Sequence, residues 1–164
     1  MTDLPIFVME RSFDAPPALV WRTWTEADLV ERWYGPGVET AIHNFDVTPG
    51  GLWINEMRMG DNSMYQRMEY TEVEPPARLV MLMSNCDADW NIIDNPMMPH
   101  WPRTFLTEVT LMPEGDGTRL TLRWIPHEAS DEQCEAFAAA MDGMEQGWGA
   151  GMKMIEEILE ELKD

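Results

Sequence analysis

The sequence predicts an α+β fold in which an antiparallel sheet grips one long C-terminal helix. Two observations carry this. Six β-patterned runs follow one another between residues 38 and 125, joined mostly by short turns. An apolar stripe at helical spacing then closes the chain, through Phe137, Met141, Met144, Trp148, Met152, Ile155, Leu159 and Leu162. With one strand and two short helices ahead of them, the predicted order is β-α-α-β6-α in a single domain, residues 1–164.

The elements follow in order. Ile6–Phe13 is rich in β-formers. Asp14 is placed to cap a helix whose first turn holds Pro16 and Pro17, positions where a missing N–H costs nothing. Leu19, Val20, Trp21 and Trp24 then fall at helical spacing. Thr25 and Asp28 have the spacing of a second start signal, with Leu29, Val30 and Trp33 on one face, and Gly35, Pro36 and Gly37 stop that helix. The β runs are 38–47, 52–59, 64–73, 78–84, 103–114 and 118–125, the last two flanking the hairpin signal Gly115-Asp116-Gly117. Ser130 and Gln133 form a capping-box pair, so the final helix is expected to run unbroken from there to about Leu162. Within it Gly147, Gly149 and Gly151 surround Trp148. Each glycine costs about 0.5–1 kcal/mol relative to alanine, so a close approach or a space beside the helix is expected there. Residues 85–102 break the pattern. Three prolines forbid regular structure, yet Trp90, Ile92, Ile93, Met97, Met98 and Trp101 make the segment apolar. A long apolar loop must lie on something: as a lid over a pocket, as a dimer contact, or as a flap closing the core.

Composition narrows the function. The chain has 164 residues and a formal net charge of −19, a field that repels phosphate backbones and anionic lipid, so neither nucleic acid nor membrane is an expected partner. Two cysteines without metal spacing, no secretory leader pattern and no apolar run of spanning length lead to the expectation of a cytoplasmic protein with free thiols. Three histidines, His43, His100 and His127, share no metal-ligand spacing, and no phosphate loop or nucleophile elbow occurs; no metal or cofactor is expected. Eight tryptophans and fifteen methionines point instead to an adaptable apolar interior.

The stretch from Phe13 to Pro36, FDAPPALVWRTWTEADLVERWYGP, resembles the opening of the START-like (SRPBCC) superfamily, in the branch named for the activator of heat-shock protein 90 ATPase. Phe13, Ala15, Pro16, Val20, Trp21, Trp24, Thr25, Trp33, Gly35 and Pro36 carry the match, with Tyr34 in place of a second tryptophan. The resemblance continues through Pro49–Trp53, Tyr70–Val80, Gly115–Leu122 and the pair Gly147-Trp148. It implies a helix-grip fold: a curved sheet of about seven strands around the C-terminal helix, often with a cavity between them for an apolar or amphipathic molecule. It also implies two alternatives, a chaperone-ATPase activator acting on a protein partner, and a cyclase or dehydratase acting on a bound aromatic or polyketide.

Candidate cavity residues are Trp33, the alternating Trp53, Asn55 and Met57, the alternating Gln66, Met68 and Tyr70, and Met144, Trp148 and Met152 of the last helix. Glu72 shares the Gln66 face by period two and, with Glu108, is a candidate general acid or base; no catalytic residue is singled out. Trp90, Met97, Met98 and Trp101 are lid candidates. The expected partner is an apolar or amphipathic small molecule, with a chaperone and a homodimer as further expectations.

Overall fold

The computed structural model describes residues 5–35, 38–95, 98 and 100–163. Pro36, Gly37, Pro96, Met97 and Pro99 lie outside them, and with them the helix stop at 36–37 and the lid candidate Met97. Seven strands form one antiparallel sheet: β1 (Phe7–Phe13), β2 (Glu39–Phe45), β3 (Leu52–Met59), β4 (Asn62–Glu74), β5 (Arg78–Cys86), β6 (Thr104–Glu114) and β7 (Gly117–Pro126). Their spatial order is β1-β7-β6-β5-β4-β3-β2. Strands β2 to β7 are a meander of hairpins, and the chain termini of the sheet, β1 and β2, end on opposite edges. The helices α1 (Pro17–Thr25) and α2 (Ala27–Trp33) therefore carry the chain across the full width of one face. The fold is α+β and helix-grip-like.

Period-two patterning selects the inner face. Met9, Leu122, Val109 and Leu79 form one row across β1, β7, β6 and β5; Phe105, Met83, Met68 and Trp53 form another across β6, β5, β4 and β3. All are buried. A bulge between Tyr70 and Glu72 slips the alternation in β4. Glu72 consequently sits on the outer face beside Arg78, which also pairs with Glu108. The sequence pattern placed Glu72 on the inner face because strict alternation cannot register an extra residue. The Gly115-Asp116 turn joins β6 to β7 in two residues, and Gly115 has φ +60°, a conformation that favours glycine.

Two expected caps do not form. The α1 N-cap is Pro16 and the α2 N-cap is Glu26, both without a side-chain cap. Thr25 instead donates to the Trp21 carbonyl one turn back, at 2.8 Å, as the last residue of α1. The Ser130–Gln133 capping box does form. The expected single final helix is two: α3 (Asp131–Ala139) and α4 (Met141–Leu162), interrupted at Ala140 with φ −98° and ψ 3°. No proline or glycine marks that break. It is tertiary: Phe137 of α3 is fully buried among Trp101, Phe105 and Trp124, so α3 follows the sheet end while α4 turns to lie against α1, α2 and β1. The apolar stripe of α4 is as read, with Ile158 and Gly151 added to its buried side and Trp148 only half-buried. Glu156, Glu157, Glu160 and Glu161 are exposed.

Candidate functional site

The site is built around Trp148. Its indole touches three other aromatic side chains: Trp24 of α1 at 6.4 Å, Tyr34 after α2 at 6.4 Å, and Trp124 of β7 at 5.7 Å between ring centroids. Helical spacing on α1 and α2 brings Trp24 and Trp33 together at 4.5 Å, and Trp33 is fixed by donating Nε1–H to the Thr23 carbonyl at 2.7 Å. Tyr34 packs edge-on to Trp53 and donates its hydroxyl to Gln66 Oε1 at 2.6 Å. Burial pushes the Tyr34 phenol well above its ordinary range, so it stays a neutral donor.

Beside this aromatic group opens a cleft of about 470 Å³. The helix side of it is Ala140, Gly143, Met144, Gly147, Trp148 and Gly151; the opposite side is Trp33, Tyr34, Gly35, Met57, Met64 and Trp124; Asn95, Met98 and Trp101 of the 85–102 segment close one end. The helical glycines do different jobs. A Cβ on Gly143 or Gly147 would meet nothing within 4 Å, so these two residues bound open space. A Cβ on Gly151 would lie 3.3 Å from Trp33 Cε3 and 3.4 Å from the Trp33 carbonyl oxygen, so this glycine permits the close crossing of α4 over α2. Gly149 faces Arg11 on the other side.

A second cavity, about 500 Å³, adjoins the first and shares Met64 and Asn95 with it. Its further walls are Met59, Asn62, Ser63, Tyr65, Asn85 and Cys86. Burial pushes the Cys86 thiol up to about 11, which keeps it protonated and a poor nucleophile at neutral pH. Among the described residues lining either cavity there is no charged side chain and no histidine.

The candidate residues separate into three groups. Trp33, Met57, Met144 and Trp148 line the first cleft, as do Met98 and Trp101. Trp53, Met68, Tyr70 and Met152 are fully buried in the core, and Asn55 and Gln66 stand beside them as internal polar partners. Trp90 lies elsewhere, packed on the outer face against His43 and Tyr65. The 85–102 segment reaches both faces because it folds back on β5: Cys86 bridges to Ile92, Asp94 pairs with Arg103, and Trp101 packs on Phe105 and Phe137. Gly143, Met64, Trp124 and Asn95 were not read as cavity residues. The sequence signal for Gly143 is its spacing of four from Gly147, and Met64 is one step of alternation before Gln66; Trp124 shares the period-two face of Leu120 and Leu122, a face that carried no cavity candidate in the sequence.

The inner face also holds polar atoms that lack partners among the described residues. Tyr70 OH, Thr107 Oγ1 and Trp124 Nε1 belong to one row across β4, β6 and β7, and Asn55 Nδ2 lies on β3. Asn55 uses its other amide atom to accept from Trp53 Nε1 at 3.3 Å. Each orphaned atom costs about 1–3 kcal/mol of desolvation. At the edge of the second cavity, its wall residue Ser63 converges with His43 and Arg58 on Glu56, whose carboxyl is brought down to about 2, chiefly by the Ser63 hydrogen bond at 2.6 Å and then by His43. Among the described residues no group of carboxylates, histidines and cysteines could hold a metal ion, and no helix is long and apolar enough to cross a membrane.

Residues 14–160 match the family model described as activator of Hsp90 ATPase homolog 1-like protein. The chain belongs to that family. No curated protein matches it. Among solved structures it is similar to a protein from Arthrobacter aurescens, at 25% identity with a TM-score of 0.81 over 98% of this chain and 90% of the other. A Mycobacterium smegmatis protein aligns at 22% identity and TM-score 0.77 over 96% of both chains. A Nitrosomonas europaea protein aligns at 22% identity and TM-score 0.73 over 99% of both. These likenesses concern the fold.

Proposed function

We propose that this family member binds an apolar or amphipathic small molecule in the cleft between α4, the end of α2 and the inner face of β3, β4 and β7. The observation that carries it is the cleft itself: about 470 Å³, within the range of about 300–1,000 Å³ typical of small-molecule sites, with tryptophan and methionine walls and two helical glycines facing the open space. Binding replaces water against these apolar walls at about 25 cal/mol per Å² of buried surface. Trp148 is the contact surface, and Met57, Met64 and Met144 adjust to the shape of the occupant, as unbranched thioether side chains do.

The test uses 1-aminoanthracene, an uncharged fluorophore that brightens in apolar surroundings. The wild-type chain is expected to bind it and to gain melting temperature. Gly147→Leu is expected to lose that binding while staying folded, since its Cβ enters empty space and leucine raises helix propensity by about 0.5–1 kcal/mol. Equal binding by both proteins would place the probe elsewhere and sink the assignment.

A further inference from the structure

The two cavities differ in a way that defines the head group of the ligand. The first is walled by Trp33, Trp124, Trp148 and methionines. The second is lined by the polar side chains of Asn62, Asn85, Asn95, Ser63 and Tyr65, of which Ser63 donates its hydroxyl to Glu56 at 2.6 Å and Asn85 donates an amide N–H to the Pro102 carbonyl at 3.5 Å, leaving their oxygens as acceptors. One quarter of the chain is charged, yet both cavities lack a charged wall among the described residues. Outside, the formal charge is −19, and nine of the eleven lysine and arginine side chains are already held in ion pairs with carboxylates: Arg11, Arg22, Arg32, Arg58, Arg78, Arg103, Arg119, Arg123 and Lys163.

We infer that the ligand is electrically neutral and amphipathic, with an apolar body against Trp148 and Trp124 and an uncharged hydroxyl, carbonyl or amide head among Asn62, Asn85 and Asn95 in the adjoining cavity. This rests on the small-molecule reading above and narrows it. A carboxylate or phosphate is disfavoured twice: the acidic exterior repels it on approach, and once inside it loses hydration against walls that carry no cationic side chain, Arg67 acting on Cys86 only from behind that lining. An ammonium head is drawn by the exterior, but no carboxylate lines the walls it enters, and the Glu56 carboxylate behind Ser63 is already engaged by Ser63, His43 and Arg58. Asparagine side chains both donate and accept, so they match a neutral head that does the same.

Calorimetric titration of the full chain with 2-naphthalenemethanol, 2-naphthoate and 2-naphthylmethylammonium tests this on one skeleton. The alcohol is expected to bind about 100-fold more tightly than the carboxylate and more tightly than the ammonium. The preference over carboxylate is expected to persist at about 1 M NaCl, where the exterior field is screened within about 3 Å. Its disappearance there would assign selection to surface charge and overturn the cavity argument. Equal binding of all three would overturn neutral selection while leaving small-molecule binding in place; binding by none would overturn both. Asn62→Arg supplies a cation at an exposed wall residue of the second cavity. It is expected to raise naphthoate affinity about tenfold and to leave the alcohol within about threefold. No gain for naphthoate would mean the head does not reach that cavity.

Discussion

Two buried tyrosines show how differently one hydroxyl can act. Tyr34 donates to Gln66, so Tyr34→Phe leaves the Gln66 carbonyl oxygen without its partner and is expected to destabilise the protein by about 1–2 kcal/mol. Tyr70 OH is buried without a partner, and burial alone raises its phenol pKa. Tyr70→Phe removes a desolvated group and keeps the ring, so it is expected to be neutral or to stabilise. Thermal denaturation of both variants checks the pair: a larger loss for Tyr70→Phe than for Tyr34→Phe would refute the hydrogen-bond assignment. The glycines of α4 separate in the same way. Gly147 borders empty space, whereas Gly151 touches Trp33, and Gly151→Leu is expected to cost about 1–3 kcal/mol through overpacking, in contrast to the gain at Gly147. The sequence showed that glycines cluster around Trp148; which of them faces a cavity and which a neighbouring helix depended on where α2 crosses.

At the scale of elements, the break at Ala140 decides where the cleft lies. Both Ala140 and Gly143 line it, so a continuous helix through this point would run α3 on in the direction of α4 and take Phe137 from its place among Trp101, Phe105 and Trp124. The start of α3 is held by its capping box, and Ser130→Ala is expected to cost about 1 kcal/mol by urea denaturation. An unchanged midpoint would mean that the packing of Phe137 alone fixes α3. Helix periodicity and the capping box were legible because both are local. The Ala140 break, the β4 bulge and the unused caps at Asp14 and Thr25 were not, because each is settled by contacts between segments far apart in sequence. The 85–102 segment belongs to the same class: its apolar content said that it must cover something, and its fold-back on β5 determined that Trp101 joins the core and the cleft while Trp90 goes to the outer face.

Over the whole molecule, unneutralised carboxylates dominate the electrostatics, because nine of eleven cations are already paired and the net charge is −19. Self-repulsion of this kind is screened by salt, so the melting temperature at neutral pH is expected to rise with NaCl. A fall would show that the surface ion pairs outweigh the repulsion. Acid acts in the opposite direction through particular groups. The carboxyls of Glu56, Asp87, Asp94 and Glu114 titrate below their ordinary values, held down chiefly by Ser63, by the Asn91 backbone N–H, by Arg103 and by Ser12 respectively. A depressed folded-state value contributes stability that is complete above the unfolded value and is lost as pH falls through the folded one. For Glu56 that window runs from 4.5 down to about 2. Stability is therefore expected to fall across this window, and Glu56→Gln to flatten the dependence; an unchanged acid limb in that variant would remove Glu56 from the account.

Local physics in the sequence determined the α+β class, the seven strands and the β6–β7 hairpin, the amphipathic face of α4 and the strongly acidic surface, because alternation, helical spacing, turn residues and net charge need no distant partner to be read. It also supplied the tryptophans and methionines from which an apolar site is made. Only the tertiary structure decided which of them stay in the core, as Trp53 and Met68 do, and which stand at the edge of open space, as Trp148, Met57 and Met98 do. A cavity is the volume left after every segment has packed, so its position depends on the helix break, the bulge and the loop together, and no single stretch of the chain contains it.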